Sequence, residues 1–165
     1  MHRIAVLFLV GALGILGCAS QKKAVQLPKV NIAVLDFEAR SGIQPEDAKA
    51  LRNTVISSLL ETGRFNIVDR KQLATFAEKR GLKLSQESDL AEAGKLLAVR
   101  KILFGTLGKL GSSVCVFNIK MTDVESSSID VAISKNVEGS PKDIKSESLG
   151  PIIEKILNSI DRTQD

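Results

Sequence analysis

The sequence predicts an α/β fold: a mixed sheet with helices packed on it, in the order β-α-β-α-α-β-β-β-α, preceded by a cleaved signal peptide. Three observations carry this expectation. Val30 to Phe37 is a continuous apolar run of the kind a buried central strand needs. Apolar stripes at helical spacing lie between Pro45 and Leu97, and another follows Pro151. Two alternating stretches, Val114 to Val124 and Ile129 to Ile133, are joined by a short polar turn and read as an antiparallel hairpin or meander. Parallel and antiparallel strands with helices between them make a mixed, helix-covered sheet.

The elements follow in order. Gly42 and Pro45 open the first helix, with Pro in its first turn. Ala48, Leu51, Val55, Ile56, Leu59 and Leu60 form its apolar stripe, and Gly63 ends it. Phe65 to Val68 is a short strand. Asp69 with Gln72 fits a capping box for a second helix, which buries Leu73, Phe76 and Ala77 and stops at Gly81. Asp89 and Glu92 suggest another capping box, with Leu90, Ala93, Gly94 and Leu97 on one face, and Gly94 lets that helix approach the sheet. Lys101 to Leu107 reads as a strand and Gly108 to Ser112 as a turn. Cys115, Phe117, Ile119 and Met121 then share a face, which makes Cys115 a buried, inert thiol. Glu125 to Ser127 turns the chain into Ile129, Val131 and Ile133, all expected to point one way. Pro151 begins the last helix, with Ile152, Ile153, Ile156, Leu157 and Ile160 on one side.

The amino terminus has a different character. Met1-His2-Arg3 is a short positive region, and Ile4 to Gly17 is apolar without a charge. At about 1.5 Å per residue that run reaches roughly 21 Å, short of the ~30 Å hydrocarbon core, so it reads as a cleavable leader and not as a span. Ile15-Leu16-Gly17-Cys18 resembles a lipobox, although Leu16 is bulkier than the usual Ala or Ser. Cleavage is expected between Gly17 and Cys18, with Cys18 lipidated. Each acyl CH₂ contributes about 0.8 kcal/mol, so two or three chains hold a protein to a membrane. Residues 18–29 form a short tether reaching at most ~35 Å, and 30–165 form a single domain. Ala19 and Ser20, with no Asp after the Cys, resemble the sorting signal for an outer-membrane lipoprotein facing the periplasm.

Composition narrows the function. The chain carries 23 Lys and Arg against 19 Asp and Glu. Loss of Arg3 with the leader leaves a surplus of three, too mild for a nucleic-acid binder. The single His, His2, also leaves with the leader, and there is no Trp or Tyr. Ser-His-Asp and Cys-His arrangements and His-ligated zinc are thereby excluded from the mature chain. With Cys18 acylated, Cys115 is the one remaining thiol, so no intramolecular disulfide can form. Gly105, Gly108 and Gly111 follow neither a dinucleotide fingerprint nor a P-loop. No cofactor and no small-molecule substrate are expected. Residues 123–165 hold nine acidic and five basic side chains. If that acidic segment faces away from the basic remainder, copies could associate head to tail.

Five landmarks in order are similar to those of the CsgG family: Asn31-Ile-Ala-Val-Leu-Asp-Phe37; Gly63-Arg-Phe-Asn-Ile-Val-Asp-Arg70 with Leu73; Glu92-Ala-Gly-Lys-Leu-Leu97; Ile102-Leu-Phe-Gly-Thr106; and Thr122-Asp-Val124. The resemblance covers roughly 30–137. That family includes curli-secretion lipoproteins, and its core resembles the amino-terminal domain of TolB and the LpoB-type activators of penicillin-binding proteins. It implies a non-enzymatic, membrane-anchored envelope lipoprotein that binds other envelope proteins or itself. Two alternatives stand beside that expectation. In the first, the chain is a subunit of an oligomeric secretion channel. Such pores resemble barrels built from paired membrane hairpins, for which Lys101 to Val137 has little room and no aromatic girdle. In the second, it is an anchored hydrolase built on the strand-end carboxylates Asp36, Asp69 and Asp123, in which Asp36 and Asp69 converge on one rim and hold Mg²⁺ if the first two strands are parallel.

Overall fold

A computed structural model describes residues 28–68, 70–83 and 86–162. The leader, Gly17, Cys18 and the expected cap Asp69 lie outside the described residues. One mixed sheet runs through the described chain. Its strands are β1 (Val30–Val34), β2 (Glu38–Ala39), β3 (Phe65–Val68), β4 (Lys101–Leu110), β5 (Val114–Asp123) and β6 (Ile129–Glu138). The helices are α1 (Pro45–Glu61), α2 (Arg70–Arg80), α3 (Glu87–Leu96) and α4 (Ser146–Arg162), with a 3₁₀ turn at Pro141–Asp143. The strand order is β3-β1-β4-β5-β6, and β2 also pairs with β4. β1 is parallel to β3 and β4, while β4, β5 and β6 form an antiparallel meander. The expected order of major elements is therefore the observed one.

The sheet separates two apolar layers. On one face α1 and α4 cover Ile32 and Val34 of β1, Leu103 and Leu107 of β4, and Phe117, Ile119 and Met121 of β5. On the other, α2 and α3 close over Ala33, Val68 and Ile102 with Leu73, Ala77, Leu90 and Ala93. Burying each large aliphatic side chain contributes about 1.5–3 kcal/mol, so the two layers hold the fold together. A Cβ on Gly94 would sit 3.1 Å from both methyls of Val124, so the glycine permits the close approach expected of it. Cys115 is fully buried and its Sγ lies 3.5 Å from the Gly139 carbonyl oxygen. Burial pushes its thiol pKa up, as an inert core cysteine requires.

Several expectations are corrected. β4 does not stop at Leu107: ladder pairing continues to Leu110 opposite Val114, and the turn centres on Gly111, whose φ of 68° suits glycine. Leu60 lies outside the α1 stripe at 50% exposure, and Phe76 is half-buried beneath the Arg80 guanidinium. Asp89 does not cap α3, which begins at Glu87. Its carboxylate accepts the Lys83 backbone N–H at 2.8 Å and pins the preceding loop. α4 starts at Ser146, before Pro151, because the extra turn buries Leu149 on the same stripe as Ile152, Ile153 and Ile156. The Pro lacks an N–H for the helical ladder; separately, Lys135 Nζ donates to the Ser148 carbonyl at 2.7 Å. Part of the amino-terminal segment shares a face with the acidic one: α4 packs beside α1, and its Asp161 pairs with Arg64 at 2.7 Å.

Candidate protein-binding surface

β1 and β3 are parallel, so Asp36 does stand on the rim where a paired carboxylate would be useful. Two guanidinium groups occupy that neighbourhood. Arg70 lies 2.5 Å from Asp36 and Arg52 lies 3.7 Å away. Arg52 also reaches the break between β1 and β2. Its Nε and Nη2 donate to the Val34 carbonyl at 3.2 and 2.9 Å, and its Nε to that of Leu35 at 3.1 Å. The α1 arginine thus satisfies carbonyls exposed where the chain leaves the sheet. Asp36 balances cations there; Asp69, the other carboxylate of the Mg²⁺ alternative, lies outside the described residues.

Asp123 belongs to a separate cluster at the amino-terminal end of β4, whereas Asp36 lies beside the middle of that strand. Lys101 is fully buried, and its Nζ donates to Asp123 at 2.7 Å and to Asp130. The other oxygen of Asp123 accepts the N–H groups of Glu125 and Ser126 at 2.9 and 2.8 Å and the Ser126 hydroxyl at 3.1 Å. Burial opposes ionisation of Asp123. The Lys101 hydrogen bond, the Ser126 N–H, the Lys101 charge and the Ser126 hydroxyl outweigh it and bring its pKa from 3.8 to about 2. Asp130 arrives through a bulge: Met121 faces Val131 but Thr122 faces Ile129, so one extra residue enters β6. Ile129 is consequently 53% exposed and does not share the buried face with Val131. Sequence reasoning missed Lys101 and Asp130. The available signal was a lysine in phase with Leu103 and Leu107, on a strand whose alternate positions are apolar.

The meander also presents a surface that no described helix covers. α2 and α3 reach only as far as Phe104, which is half-buried at their margin. Beyond it lie four cross-strand rows: Phe104–Lys120–Ala132, Thr106–Asn118–Ser134, Gly108–Val116–Asn136 and Leu110–Val114–Glu138. Lys120 and Glu138 are the charged members; the remaining positions are small, polar or apolar. Asn118 donates to Thr106 across the strands at 3.0 Å. Two adjoining clefts of about 650 and 300 Å³ lie over this face and share Arg40, Thr106 and Asn118. A broad sheet face of small, polar and apolar side chains, rimmed by Asp36, Glu38, Arg40, Lys109 and Lys120, suits contact with another protein. No described helix is long and apolar enough to cross a membrane.

The chain matches no protein-family model and no curated protein sequence. Its fold is similar to that of the LpoB C-terminal domain from Salmonella enterica, at 15% identity and a TM-score of 0.55 over 70% of this chain and 87% of that one. TolB from Acinetobacter baumannii has a similar region, at 16% identity and a TM-score of 0.56 over 82% of this chain but 29% of TolB. Lipoprotein GNA1162 from Neisseria meningitidis is also similar, at 12% identity and a TM-score of 0.54 over 80% of this chain and 96% of that one. The fold is thus of the LpoB and TolB type.

Proposed function

We propose that this chain is a non-enzymatic lipoprotein of the bacterial envelope whose α/β domain binds other envelope proteins. The observation that carries the reading is the uncovered half of the sheet: three long strands displaying Thr106, Asn118, Ser134 and Asn136 beside Phe104 and Val116. Likeness in fold to the LpoB C-terminal domain and to lipoprotein GNA1162 supports it. The singled-out acids Asp36 and Asp123 are each held by a cation of the same chain, which favours binding over hydrolysis. Membership of the CsgG family rests on the sequence landmarks alone. The channel alternative is further disfavoured because Lys101 to Val137 is occupied by β4, β5 and β6, whose common face is packed beneath helices.

In this reading residues 1–17 export the chain, cleavage falls between Gly17 and Cys18, and lipid on Cys18 anchors it in the outer membrane, facing the periplasm. Cys18→Ser should abolish labelling by a fatty-acid analogue; undiminished labelling would remove the anchor from the proposal. For the binding face, p-benzoylphenylalanine is placed at Ser134 and, separately, at Ser57 on the exposed side of α1, in cells of the native host. Irradiation should give an adduct with another envelope protein from Ser134 and none from Ser57. An adduct at twice the chain's own mass would show self-association instead. Absence of any adduct from Ser134 would refute this use of the face.

A further inference from the structure

β6 closes one side of the sheet, and its outer edge has no strand partner among the described residues. Natural edge strands are commonly blunted by shortness, proline, a mid-strand bulge or an outward lysine. β6 is ten residues long and contains no proline, and its bulge sits at its first residues only. Its one lysine, Lys135, is drawn inward to the Ser148 carbonyl. Beyond its first residues the edge carries neither proline nor bulge, and no described strand pairs with it.

A cleft of about 730 Å³ runs beside that edge, between residues 130–133 of β6 and Lys155, Asn158, Asp161 and Arg162 of α4. Its charges are not equally available. Asp130 is held by Lys101 and Asp161 by Arg64. Lys155 and Arg162 form no ion pair with any described acidic side chain. The cleft thus combines backbone groups able to extend a sheet with two cations on its far wall that have no ion-pair partner among the described acids.

We infer that the β6 edge takes an acidic, extended segment of a partner protein as a further strand, its backbone pairing with β6 and its carboxylates reaching Lys155 and Arg162. This is strand addition, in which main-chain bonds supply affinity and alternate side chains supply selectivity. At about 3.3 Å per residue, the cleft alongside 130–133 accommodates a segment of roughly four to six residues. An acidic segment meets the opposite charge at Lys155 and Arg162. The inference rests on the reading of the domain as a protein-binding module, and it assigns a second surface, distinct from the open sheet face.

The test uses the full chain in detergent micelles and two fluorescent seven-residue peptides, one alternating Glu with Val and one alternating Lys with Val. The Glu peptide should bind more tightly than the Lys peptide by tenfold or more, and rising salt should weaken it. The double variant Lys155→Glu with Arg162→Glu should reverse that preference. Ser57→Ala on the exposed side of α1 should leave it unchanged. Amide hydrogen exchange separates strand addition from simple ion pairing: the Glu peptide should slow exchange within 131–137. Equal binding of both peptides, binding without that protection, or a chain that dimerises through β6 before peptide is added would each overturn the inference. If the Glu peptide fails while the Ser134 adduct still forms, the edge inference falls and the binding role stands.

Discussion

Two charge clusters beside the central strands are inversions of one another. In one, a single carboxylate, Asp36, stands between two arginines in an exposed position. In the other, a single ammonium, Lys101, stands between two carboxylates and is sealed from solvent. The count of charges is the same, but the energetics are not. Exposed ion pairs contribute about 0–1 kcal/mol because water screens them and the side chains lose freedom. A buried charge cannot return to water, so deleting its counter-charge or the charge itself leaves an uncompensated group in the core. The Asp36 cluster has one further component, since Arg52 also holds the carbonyls at the β1 break. Position, more than charge number, determines what each cluster does for the fold.

The largest expected effect tests the buried side. Lys101→Ala leaves Asp123 and Asp130 facing each other without a cation and should cost about 3–5 kcal/mol in urea denaturation. A loss below ~1 kcal/mol would place the two clusters in the same class. Arg52→Ala comes next. Losing charge-assisted bonds to two carbonyls should cost about 2 kcal/mol, well above the effect of removing the acid it accompanies. Titration sharpens the contrast further. The pKa of Asp123 is depressed to about 2, so its contribution is fully present above about pH 4 and is lost as pH falls from there through 2. That loss should be roughly 2 kcal/mol, and Asp123→Asn should flatten this acid limb of the stability curve. Asp36→Asn should have the smallest effect, under ~1 kcal/mol and fading with added salt. An effect as large as that of Arg52→Ala would show that the ion pair, and not the carbonyl bonds, holds the β1 break.

The same contrast explains what could be read from the sequence. Apolar periodicity located the major elements because each pattern reports burial against one layer. Phe65 to Val68, the Leu73–Ala77 stripe and the Cys115–Met121 alternation all lie where the patterns put them. Asp36 was visible as a candidate because it follows an apolar strand directly. Its guanidinium partners lie on α1 and α2, beyond the reach of local spacing. Alternation alone puts Ile129 in phase with Val131. The extra residue that breaks the phase brings Asp130 to Lys101, a requirement set by a strand distant in sequence. Likewise Gly108 looked like part of a turn, yet backbone pairing carries β4 to Leu110, past the end of its buried pattern. The open face left a weak trace, since Thr106, Asn118 and Ser134 are ordinary polar positions until the strands are set side by side.

The order of strands across the sheet has a consequence for how the chain assembles. β4, at the centre, meets β5 through a tight turn, and β5 meets β6 through another, so this meander closes short loops. β1 cannot be completed in that way. Its pairing of Ile32 with Lys101 closes a loop of roughly seventy residues, at an entropic cost that local contacts do not bear. The carboxy-terminal meander is therefore expected to provide the folding nucleus, onto which β1, α1 and β3 dock later. Conservative truncations at Ile119 or Met121 should then slow folding, whereas truncation at Val34 should chiefly speed unfolding.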